Sequence, residues 1–360
     1  TLVKVLTEQI AGLYDPDSQE FFIADWNSPA DERMVMSHEL AHALQDQHFH
    51  IDKWTDAAKP NDDGELARDA VLEGSAMAAM VDYQLGGKGS IRDLGDFDPS
   101  LLMGDVDSSP ELAKAPKVLQ DELLFPYLAG IRFAQHVLKA SNGWPDFHKV
   151  FERPPVSTQQ ILHPDLYLQD VEPPKITLPD PKGFPSEDWK KLDENDMGEF
   201  GLQEILKQFL EKDRATSLAA LWSADRYALF ENQKNKRTML VFRIRLASDA
   251  AAARFFGAYG ELLELKYGQR TNLLRRPNFF SFDTPEDGVY LRCLGADCLI
   301  LESGTRAMFD RLTMEMGWSP GPAVPVKPGG PPINVVQFPL PPDGIADAGP
   351  PTRPMALSAR

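Results

Sequence analysis

The spacing of apolar residues changes partway along the chain. Up to about residue 170, apolar positions recur every three to four residues, which is the period of a helix with one buried face. Ahead of the helices, residues 6–13 and 20–26 flank a turn-forming stretch and are predicted to pair as a β-hairpin. The pattern then predicts helices over residues 29–48, 64–85, 119–141 and 145–151, with a further short helix beginning at Ser109-Pro110.

From residue 198 onward, runs that alternate apolar and polar residues or are rich in apolar residues predict β-strands. The predicted strands cover residues 226–231, 238–246, 278–283, 288–294 and 298–302. Helices are predicted over residues 202–210 and 217–222, from an N-cap at Ser248 to Leu265, and over 304–316. This part of the chain is therefore predicted to be a small α+β domain, an antiparallel sheet with helices on one of its faces.

Prolines mark the boundaries between these regions. A first proline-rich stretch follows the helical part and is predicted to be a linker. The last stretch holds twelve of the thirty prolines and is predicted to be an extended tail. The fold class is thus predicted to be α+β, with a first domain at 1–170, a linker at 171–197, a second domain at 198–317 and a tail at 318–360.

Residues 38–42 read His-Glu-Leu-Ala-His and lie within the first predicted helix. Side chains four positions apart share one face of a helix, so His38 and His42 can bind one metal ion. Zinc takes nitrogen ligands and, in a catalytic site, keeps one position for a water molecule whose pKa it lowers. Glu39 lies beside the two histidines and is predicted to be the general base that takes a proton from that water.

The alternative to a metal site is a surface helix on which both histidines are solvated. The apolar residues around the motif favour a largely buried helix, in which polar histidines need partners. These apolar residues are Met36, Leu40, Ala41, Ala43 and Leu44. We therefore expect the two histidines to bind a metal ion.

The third metal ligand is predicted to come from the next helix. Glu73 lies between Leu72 and a run of small apolar residues, where a carboxylate is costly unless it is paired or bound to a metal ion. The small residues are expected to let this helix approach the metal helix closely. Glu65 is the rival third ligand, although its place near the helix start is favourable for an acid in any case. Asp69 and Asp46 are candidates to orient a ligand histidine.

The pattern His-Glu-Leu-Ala-His followed by Glu73-Gly74 resembles the gluzincin type of zinc metallopeptidase. More closely, the chain is similar to a group of bacterial zinc proteases whose biochemistry is little characterised. The stretches that carry this similarity are 11–16, 38–49, 72–74, 125–130 and 155–164. The resemblance covers about residues 1–170. It implies a zincin-like catalytic domain, a bound Zn²⁺ ion, peptidase activity and an exported bacterial protein, but no particular substrate.

Hydrolysis through a tetrahedral intermediate also needs donors directed at the oxygen that gains charge. His163 and Tyr127 are predicted to fill this role, and Tyr167 is a third candidate. Ser157 is the predicted N-cap of a short helix that ends before His163-Pro164, which gives His163 a defined position. The alternative for His163 is an exposed surface position, and the alternative for Tyr127 is a place in the hydrophobic core. The edge of the opening hairpin is predicted to hold an extended peptide as an added strand.

The charge of the chain narrows the range of its partners. The net charge of −17 argues against binding to nucleic acid or to anionic membrane surfaces. No apolar run approaches the roughly 18 residues that a transmembrane helix needs. The expected partner is therefore a peptide or protein substrate, and the oligomeric state stays open.

Cys293 and Cys298 lie at the ends of two predicted strands joined by a four-residue loop. Either they form a disulfide, which suits an oxidising compartment, or they are two free buried thiols. The chain begins at Thr1 rather than at Met, so we expect either that a leader has been removed, as in an exported protein, or that the sequence has been shortened.

The leading hypothesis is a zinc-dependent metalloendopeptidase, with zinc bound by His38, His42 and Glu73 and with Glu39 as general base. One alternative is a zinc hydrolase of non-peptide amide bonds. Another is a non-enzymatic binding protein in which zinc only ties two helices together. The second domain carries no recognisable catalytic group of residues.

Overall fold

The computed structural model of the protein describes residues 11–25, 28–102, 110–186, 188–319 and 321–322. The chain separates into two units, Thr1–Pro322 and Ala323–Arg360, and the described residues belong to the first. Most of the predicted tail, the start of the predicted hairpin and its last residue, Trp26, therefore lie outside the described residues. Among the described helices, none combines the length and the hydropathy that crossing a bilayer requires.

The first part of the chain is a short hairpin followed by helices. Its elements are β1 (Gly12–Asp15), β2 (Glu20–Ile23), α1 (Pro29–Phe49), α2 (Ile51–Asp56), α3 (Asp62–Gln84), α4 (Pro110–Lys114), α5 (Lys117–Ala140), α6 (Trp144–Phe147), α7 (Lys149–Glu152), α8 (Thr158–Leu162) and α9 (Pro164–Leu168). The three long helices match the predicted ones closely. The predicted helix 145–151 is instead divided into α6 and α7. The hairpin pairs Gly12 with Ile23, and β1 continues two residues beyond the predicted end of the first strand.

Local residues define the ends of α1. The Ser28 hydroxyl accepts a hydrogen bond from the backbone N–H of Asp31, and Pro29 occupies the first turn, where an N–H needs no helical partner. At the other end, His50 adopts a left-handed conformation, with φ of 53°, and ends the helix. Signals of this kind are visible in the sequence, which is why the start of α1 was predicted correctly.

The burial of α1 differs from our expectation. Met36, Leu40 and Leu44 are four residues apart and share one face, and 47%, 46% and 56% of their respective surfaces are exposed. The prediction of a largely buried helix was wrong for this apolar stripe. Several polar residues are buried on α1 instead: Glu39, Gln45 and Asp46. A helix that buries polar groups and exposes leucines requires partners for those groups, and these partners define the candidate site.

Two glycines allow α3 and α5 to pack backbone against backbone. A Cβ atom added at Gly74 would lie 2.0 Å from the carbonyl carbon of Gly130. A Cβ atom added at Gly130 would lie 2.1 Å from the carbonyl oxygen of Ala70. The small residues after Glu73 therefore bring α3 close to α5, whereas we had predicted this closest approach for the metal helix. The contact places α5, with Tyr127, beside the segment of α3 that carries Glu73.

The second part of the chain is built around a seven-stranded antiparallel sheet. Its elements are β3 (Trp189–Asn195), α10 (Gly198–Lys207), α11 (Lys212–Ala219), β4 (Trp222–Asn232), β5 (Thr238–Leu246), α12 (Asp249–Lys266), β6 (Thr271–Arg276), β7 (Phe279–Thr284), β8 (Asp287–Leu294), β9 (Asp297–Gly304) and α13 (Arg306–Glu315). The strand order is β3-β4-β5-β9-β8-β7-β6. The mixed α+β class is confirmed. We did not predict β3, which lies within the stretch assigned to the linker, or β6.

Helices cover both faces of this sheet, contrary to the prediction of one covered face. Phe280 and Leu291 belong to the core that includes residues of α12. On the opposite face, the ring of Phe309 from α13 lies 6.1 Å from the ring of Phe279 and 5.2 Å from that of Tyr290. Successive residues of a strand point to opposite faces, so β7 and β8 are buried on both sides.

Two further features hold the second part together. Cys293 and Cys298 form a disulfide across the β8–β9 hairpin, which decides between the two states left open by the sequence. In the stretch predicted to be a linker, the carbonyl oxygen of Thr177 accepts a hydrogen bond of 2.7 Å from Arg243 of β5. The ring of Phe184 lies 6.1 Å from that of Phe230 of β4. This stretch therefore packs against the sheet.

Two buried carboxylates lie on either side of Gly198, where the helical part meets the second part. Asp63 of α3 accepts a hydrogen bond of 3.0 Å from the backbone N–H of Thr158. Asp225 of β4 accepts hydrogen bonds of 2.9 Å from the backbone N–H groups of Met197 and Gly198. Gly198 has φ of +70°, and a Cβ atom there would lie 1.8 Å from Asp63 Oδ1. Only glycine fits between the two carboxylates at this position.

Candidate metal centre

Helices α1 and α3 bring three candidate ligand atoms together. The Nε2 atoms of His38 and His42 are 3.0 Å apart. Glu73 Oε2 lies 3.1 Å from Nε2 of His38 and 3.3 Å from Nε2 of His42. The predicted spacing of four residues on α1 thus places both rings against the carboxylate that we predicted on α3. Among the described residues, this is the group of histidine, cysteine and acidic side chains with a geometry that could hold a metal ion.

The separations of these atoms can be compared with a tetrahedral zinc site. Ligand atoms at roughly 2.0–2.1 Å from one zinc ion lie roughly 3.3–3.4 Å from each other. The three separations here, 3.0, 3.1 and 3.3 Å, are close to that value. The donor set of two imidazole nitrogens and one carboxylate oxygen is also one that zinc accepts. The three residues therefore fit a tetrahedral zinc site, of which they would supply three ligands.

The electrostatics of the three groups reflect their proximity. Although burial opposes it, the Glu73 carboxylate raises the pKa of His42 to about 9. Burial also acts against the charge of Glu73, but the two imidazoles lower the pKa of this carboxyl far below its ordinary range. The carboxylate therefore stays ionised, and it attracts either a proton onto the imidazoles or a cation between them.

Glu39 is buried and is held by the hairpin. Its Oε2 atom accepts a hydrogen bond of 2.8 Å from the backbone N–H of Tyr14 in β1. Burial raises the pKa of Glu39, while the nearby His42 and His38 act in the opposite direction. Gly12 allows β1 to lie this close to α1, because a Cβ atom there would lie 2.3 Å from Cγ1 of Val35.

Tyr127 lies at the candidate site, on α5. Its ring is stacked near the ring of His38, with 6.3 Å between the centroids. Burial and hydrogen bonding to the neighbouring Glu73 carboxylate raise the pKa of Tyr127 well above its usual value. The hydroxyl is therefore protonated at neutral pH, and in this structure it lies against the Glu73 carboxylate, beside the three ligand atoms.

The other two candidates for the oxyanion role make their contacts elsewhere. His163 follows α8 as predicted, and its Nε2 atom lies 2.8 Å from Oε1 of Glu199 on α10. The Tyr167 hydroxyl donates a hydrogen bond of 2.9 Å to the carbonyl oxygen of Arg153. The structure therefore brings Tyr127 to the ligand atoms and directs the polar atoms of His163 and Tyr167 towards other partners. The role of His163 in catalysis stays a prediction.

One of the two residues predicted to orient a ligand histidine, Asp46, has another partner, whereas the role of Asp69 stays a prediction. Asp46 accepts a hydrogen bond of 3.0 Å from the Tyr14 hydroxyl, so it holds the hairpin rather than a ligand ring. The partner of His42 is Gln45, whose Oε1 atom lies 2.9 Å from Nδ1 of His42. Sequence reasoning missed Gln45, although its position three residues after His42 was a usable signal. Glu65, the rival third ligand, lies 3.9 Å from Lys59 Nζ.

A largely apolar cavity of about 700 Å³ lies along the same two helices. Its wall includes Gln45 of α1 and Ser75 of α3, together with the aromatic residues Phe49, Trp144 and Phe147. The three candidate ligands do not line it. Of the wall residues, Gln45 contacts the candidate ligand His42, and we assign the cavity no role in the chemistry.

Comparison with known proteins concerns mainly the second part of the chain. No curated protein and no solved structure matches the sequence. A family model described as a domain of unknown function (DUF8575) matches residues 187–313. This match runs from the start of the sheet into α13 and leaves out α1 and α3, which carry the candidate ligands. The chain is thus similar, over residues 187–313, to a domain of unknown function.

Proposed function

We propose that the protein is a zinc-dependent metalloendopeptidase. The observation that carries this proposal is the convergence of His38 Nε2, His42 Nε2 and Glu73 Oε2 within 3.3 Å of one another. A carboxylate that directly follows the first of these histidines, Glu39, provides the base that hydrolysis needs. A zincin-like fold for the helical part belongs to the same proposal and is supported by the HExxH helix and its distant glutamate.

In this proposal, the residues divide the chemistry between them. A zinc ion held by the two histidines and Glu73 would act as a Lewis acid that lowers the pKa of water and polarises the substrate carbonyl. Glu39 takes the proton from the attacking water and passes it to the leaving amine. The N–H of Tyr14 keeps one carboxylate oxygen of Glu39 in place during this transfer. The Tyr127 hydroxyl donates a hydrogen bond to the oxygen that gains charge.

The hairpin supports a peptide as the substrate class. Strand β1 contacts the general base through Tyr14, and a two-stranded sheet has edges that can pair with a further strand. We propose that a peptide substrate pairs with an edge of this hairpin in an extended form. The surface of the hairpin suits such a partner, because Leu13, Phe21 and Phe22 are 45%, 40% and 51% exposed.

The disulfide supports an exported protein. A bond between Cys293 and Cys298 forms and persists in the periplasm or outside the cell, where thiols are not kept reduced. We therefore propose that the enzyme works in one of these compartments.

The test combines metal analysis with a peptide-cleavage assay on the full chain. The purified protein is expected to bind one equivalent of zinc and to cleave members of a peptide library. Glu39→Gln keeps the shape of the side chain but removes the base, so zinc binding is expected to persist while cleavage falls by about 100-fold or more. Glu122→Gln is the matched control, because Glu122 is exposed on α5 and the change is chemically the same.

Each alternative corresponds to a different result of this experiment. Full cleavage by Glu39→Gln would exclude Glu39 as the base. The parent protein could instead bind zinc and hydrolyse other amides but no peptide. That result would indicate a zinc hydrolase of non-peptide bonds. Zinc binding without hydrolysis of either class would favour a binding protein with a structural metal ion. A protein that binds no zinc would overturn the proposal.

A further inference from the structure

We propose that Gln45 is the positioning residue that fixes the tautomer of His42 and so presents the Nε2 atom of that ring to the metal ion. The inference deepens the proposed zinc site and rests on it. Gln45 is a neutral residue on α1, one turn after His42, the second histidine of the motif. Its amide contacts His42 on one side and α3 on the other.

The orientation of the Gln45 amide follows from its contacts with α3. Its Nε2 atom donates a hydrogen bond of 3.2 Å to the carbonyl oxygen of Leu72. A carbonyl oxygen can only accept, so the amide nitrogen has to face Leu72. Gln45 Nε2 also donates a hydrogen bond of 2.9 Å to the hydroxyl of Ser75, which itself donates to the carbonyl oxygen of Val71 at 2.6 Å. With its proton used in this way, the Ser75 hydroxyl acts as an acceptor towards Gln45.

The orientation of the amide then determines the state of the imidazole. With its nitrogen directed at α3, Gln45 presents Oε1 to Nδ1 of His42 across 2.9 Å. An amide oxygen accepts and cannot donate, so Nδ1 of His42 has to carry the proton. In a neutral imidazole that carries its proton on Nδ1, Nε2 has a free lone pair. This is the nitrogen that lies 3.0 Å from His38 Nε2 and 3.3 Å from Glu73 Oε2.

Burial makes this chain of hydrogen bonds hard to replace. Gln45 is 8% exposed and Ser75 is 3% exposed, so water has little access to their polar groups. Loss of the amide would leave Leu72, Ser75 and His42 without this partner. The contacts also link the two helices that carry the metal ligands, because the Gln45 amide lies between His42 on α1 and the turn of α3 that contains Glu73.

The neutrality of Gln45 suits the charges around it. Ligand histidines often donate their second N–H to a carboxylate. Here Glu39 and Glu73 already place two carboxylates at the site, and a third buried negative charge would have to be desolvated. The Gln45 amide supplies the acceptor without adding charge, and its NH₂ group makes two hydrogen bonds that a carboxylate cannot donate.

The first test reads the tautomer directly by NMR. In the zinc-loaded full chain with ¹⁵N-labelled histidine, His42 is expected to show a slowly exchanging proton on Nδ1 and none on Nε2. A proton on Nε2 would overturn the inference. If the parent protein bound no zinc, the proposed function would fail. The same spectrum of the zinc-free chain, at a pH high enough to keep the ring neutral, would still show which nitrogen is protonated.

The second test separates the acceptor from the packing of the side chain. Gln45→Met keeps the approximate size and removes the acceptor, and we expect its zinc dissociation constant to rise by about 10- to 100-fold in chelator competition. Gln45→Glu keeps an acceptor for Nδ1 and is expected to bind zinc more tightly than Gln45→Met. Gln47→Met, at an exposed position on the same helix, is the control. Equal loss in Gln45→Met and Gln45→Glu, or no loss in Gln45→Met, would contradict the inference. The NMR result on the parent protein decides the question if Gln45→Met does not fold.

Discussion

The backbone N–H of Tyr14 donates a hydrogen bond of 2.8 Å to the carboxylate of Glu39. Strand β1, which precedes the metal helix α1 in the chain, therefore holds the proposed general base. The side chain of Tyr14 adds a second link to the same helix, because its hydroxyl donates to Asp46 at 3.0 Å. The hairpin is thus part of the candidate site, and displacing it is expected to affect catalysis more than zinc binding.

Gly12→Ala tests this role of the hairpin. An added Cβ atom would lie 2.3 Å from Cγ1 of Val35, so β1 has to move away from α1. Misplacement of a catalytic group by about 1 Å can lower the rate by about 100-fold. We expect turnover of a peptide substrate to fall by about 10- to 100-fold while zinc affinity stays within about threefold of the parent value.

Gly95→Ala is the control for this change, because a Cβ atom at Gly95 meets nothing within 4 Å. Both variants are compared by steady-state kinetics and by chelator competition. Unchanged turnover in Gly12→Ala would show that the hairpin does not position Glu39. An equal loss of turnover in Gly95→Ala would point to a general effect on the fold.

Glu73→Gln tests the identity of the third ligand. The change keeps the size of the side chain but replaces the carboxylate, whose Oε2 atom lies 3.1 Å from Nε2 of His38 and 3.3 Å from Nε2 of His42. Because a ligand is lost, we expect zinc affinity to fall by about 100-fold or more. Glu65→Gln, at the rival position on the same helix, is expected to bind zinc as the parent protein does. The opposite ranking of the two dissociation constants would assign the third ligand to Glu65.

Local signals explain which parts of the fold were predictable from the sequence. The start of α1 depends on Ser28 and Pro29, and these residues act within one turn of helix. The convergence of His38 and His42 follows from the helical period alone. The choice of Glu73 was also possible, because a carboxylate in an apolar stretch of a helix needs a partner that compensates for its burial.

The features that were missed depend on contacts between distant residues. Strand β3 is mostly exposed and forms by pairing with β4, so its sequence shows little alternation. The role of Gln45 depends on Leu72 and Ser75, which lie on another helix. The exposed apolar stripe of α1 is a similar case, because the position of the hairpin and α3 decides which face of the helix is buried.

The buried Asp225 is expected to make stability depend on pH. Burial raises the pKa of Asp225 from an ordinary value of 3.8 to about 7. The folded protein thus holds this proton more tightly than the unfolded chain does. The stabilising contribution is complete below pH of about 4 and is lost as the pH rises through about 7. Between pH 5 and pH 8, this one group lowers the free energy of unfolding by about 2–3 kcal/mol.

The Asp225→Asn side chain does not titrate. Between pH 5 and pH 8, the free energy of unfolding of this variant is therefore expected to fall less than that of the parent protein. The variant also loses an acceptor for one backbone N–H, so it is expected to be less stable than the parent at pH near 5. Urea unfolding at the two pH values measures both effects. Asp213→Asn, at an exposed position, is the control. A pH dependence in Asp225→Asn equal to that of the parent would show that Asp225 does not hold a proton in the folded state.

Tyr127→Phe and His163→Ala distinguish the two predicted donors for the oxyanion. The Phe side chain keeps the stacking beside His38 but lacks the hydroxyl that lies against Glu73. If this hydroxyl stabilises the transition state, kcat falls by about 100-fold while KM and zinc affinity change little.

His163→Ala is expected to leave kcat near the parent value, because the Nε2 atom of His163 pairs with Glu199. Tyr83→Phe, at a residue 56% exposed, controls for loss of a hydroxyl. A large loss of kcat in His163→Ala together with full activity in Tyr127→Phe would reverse the assignment.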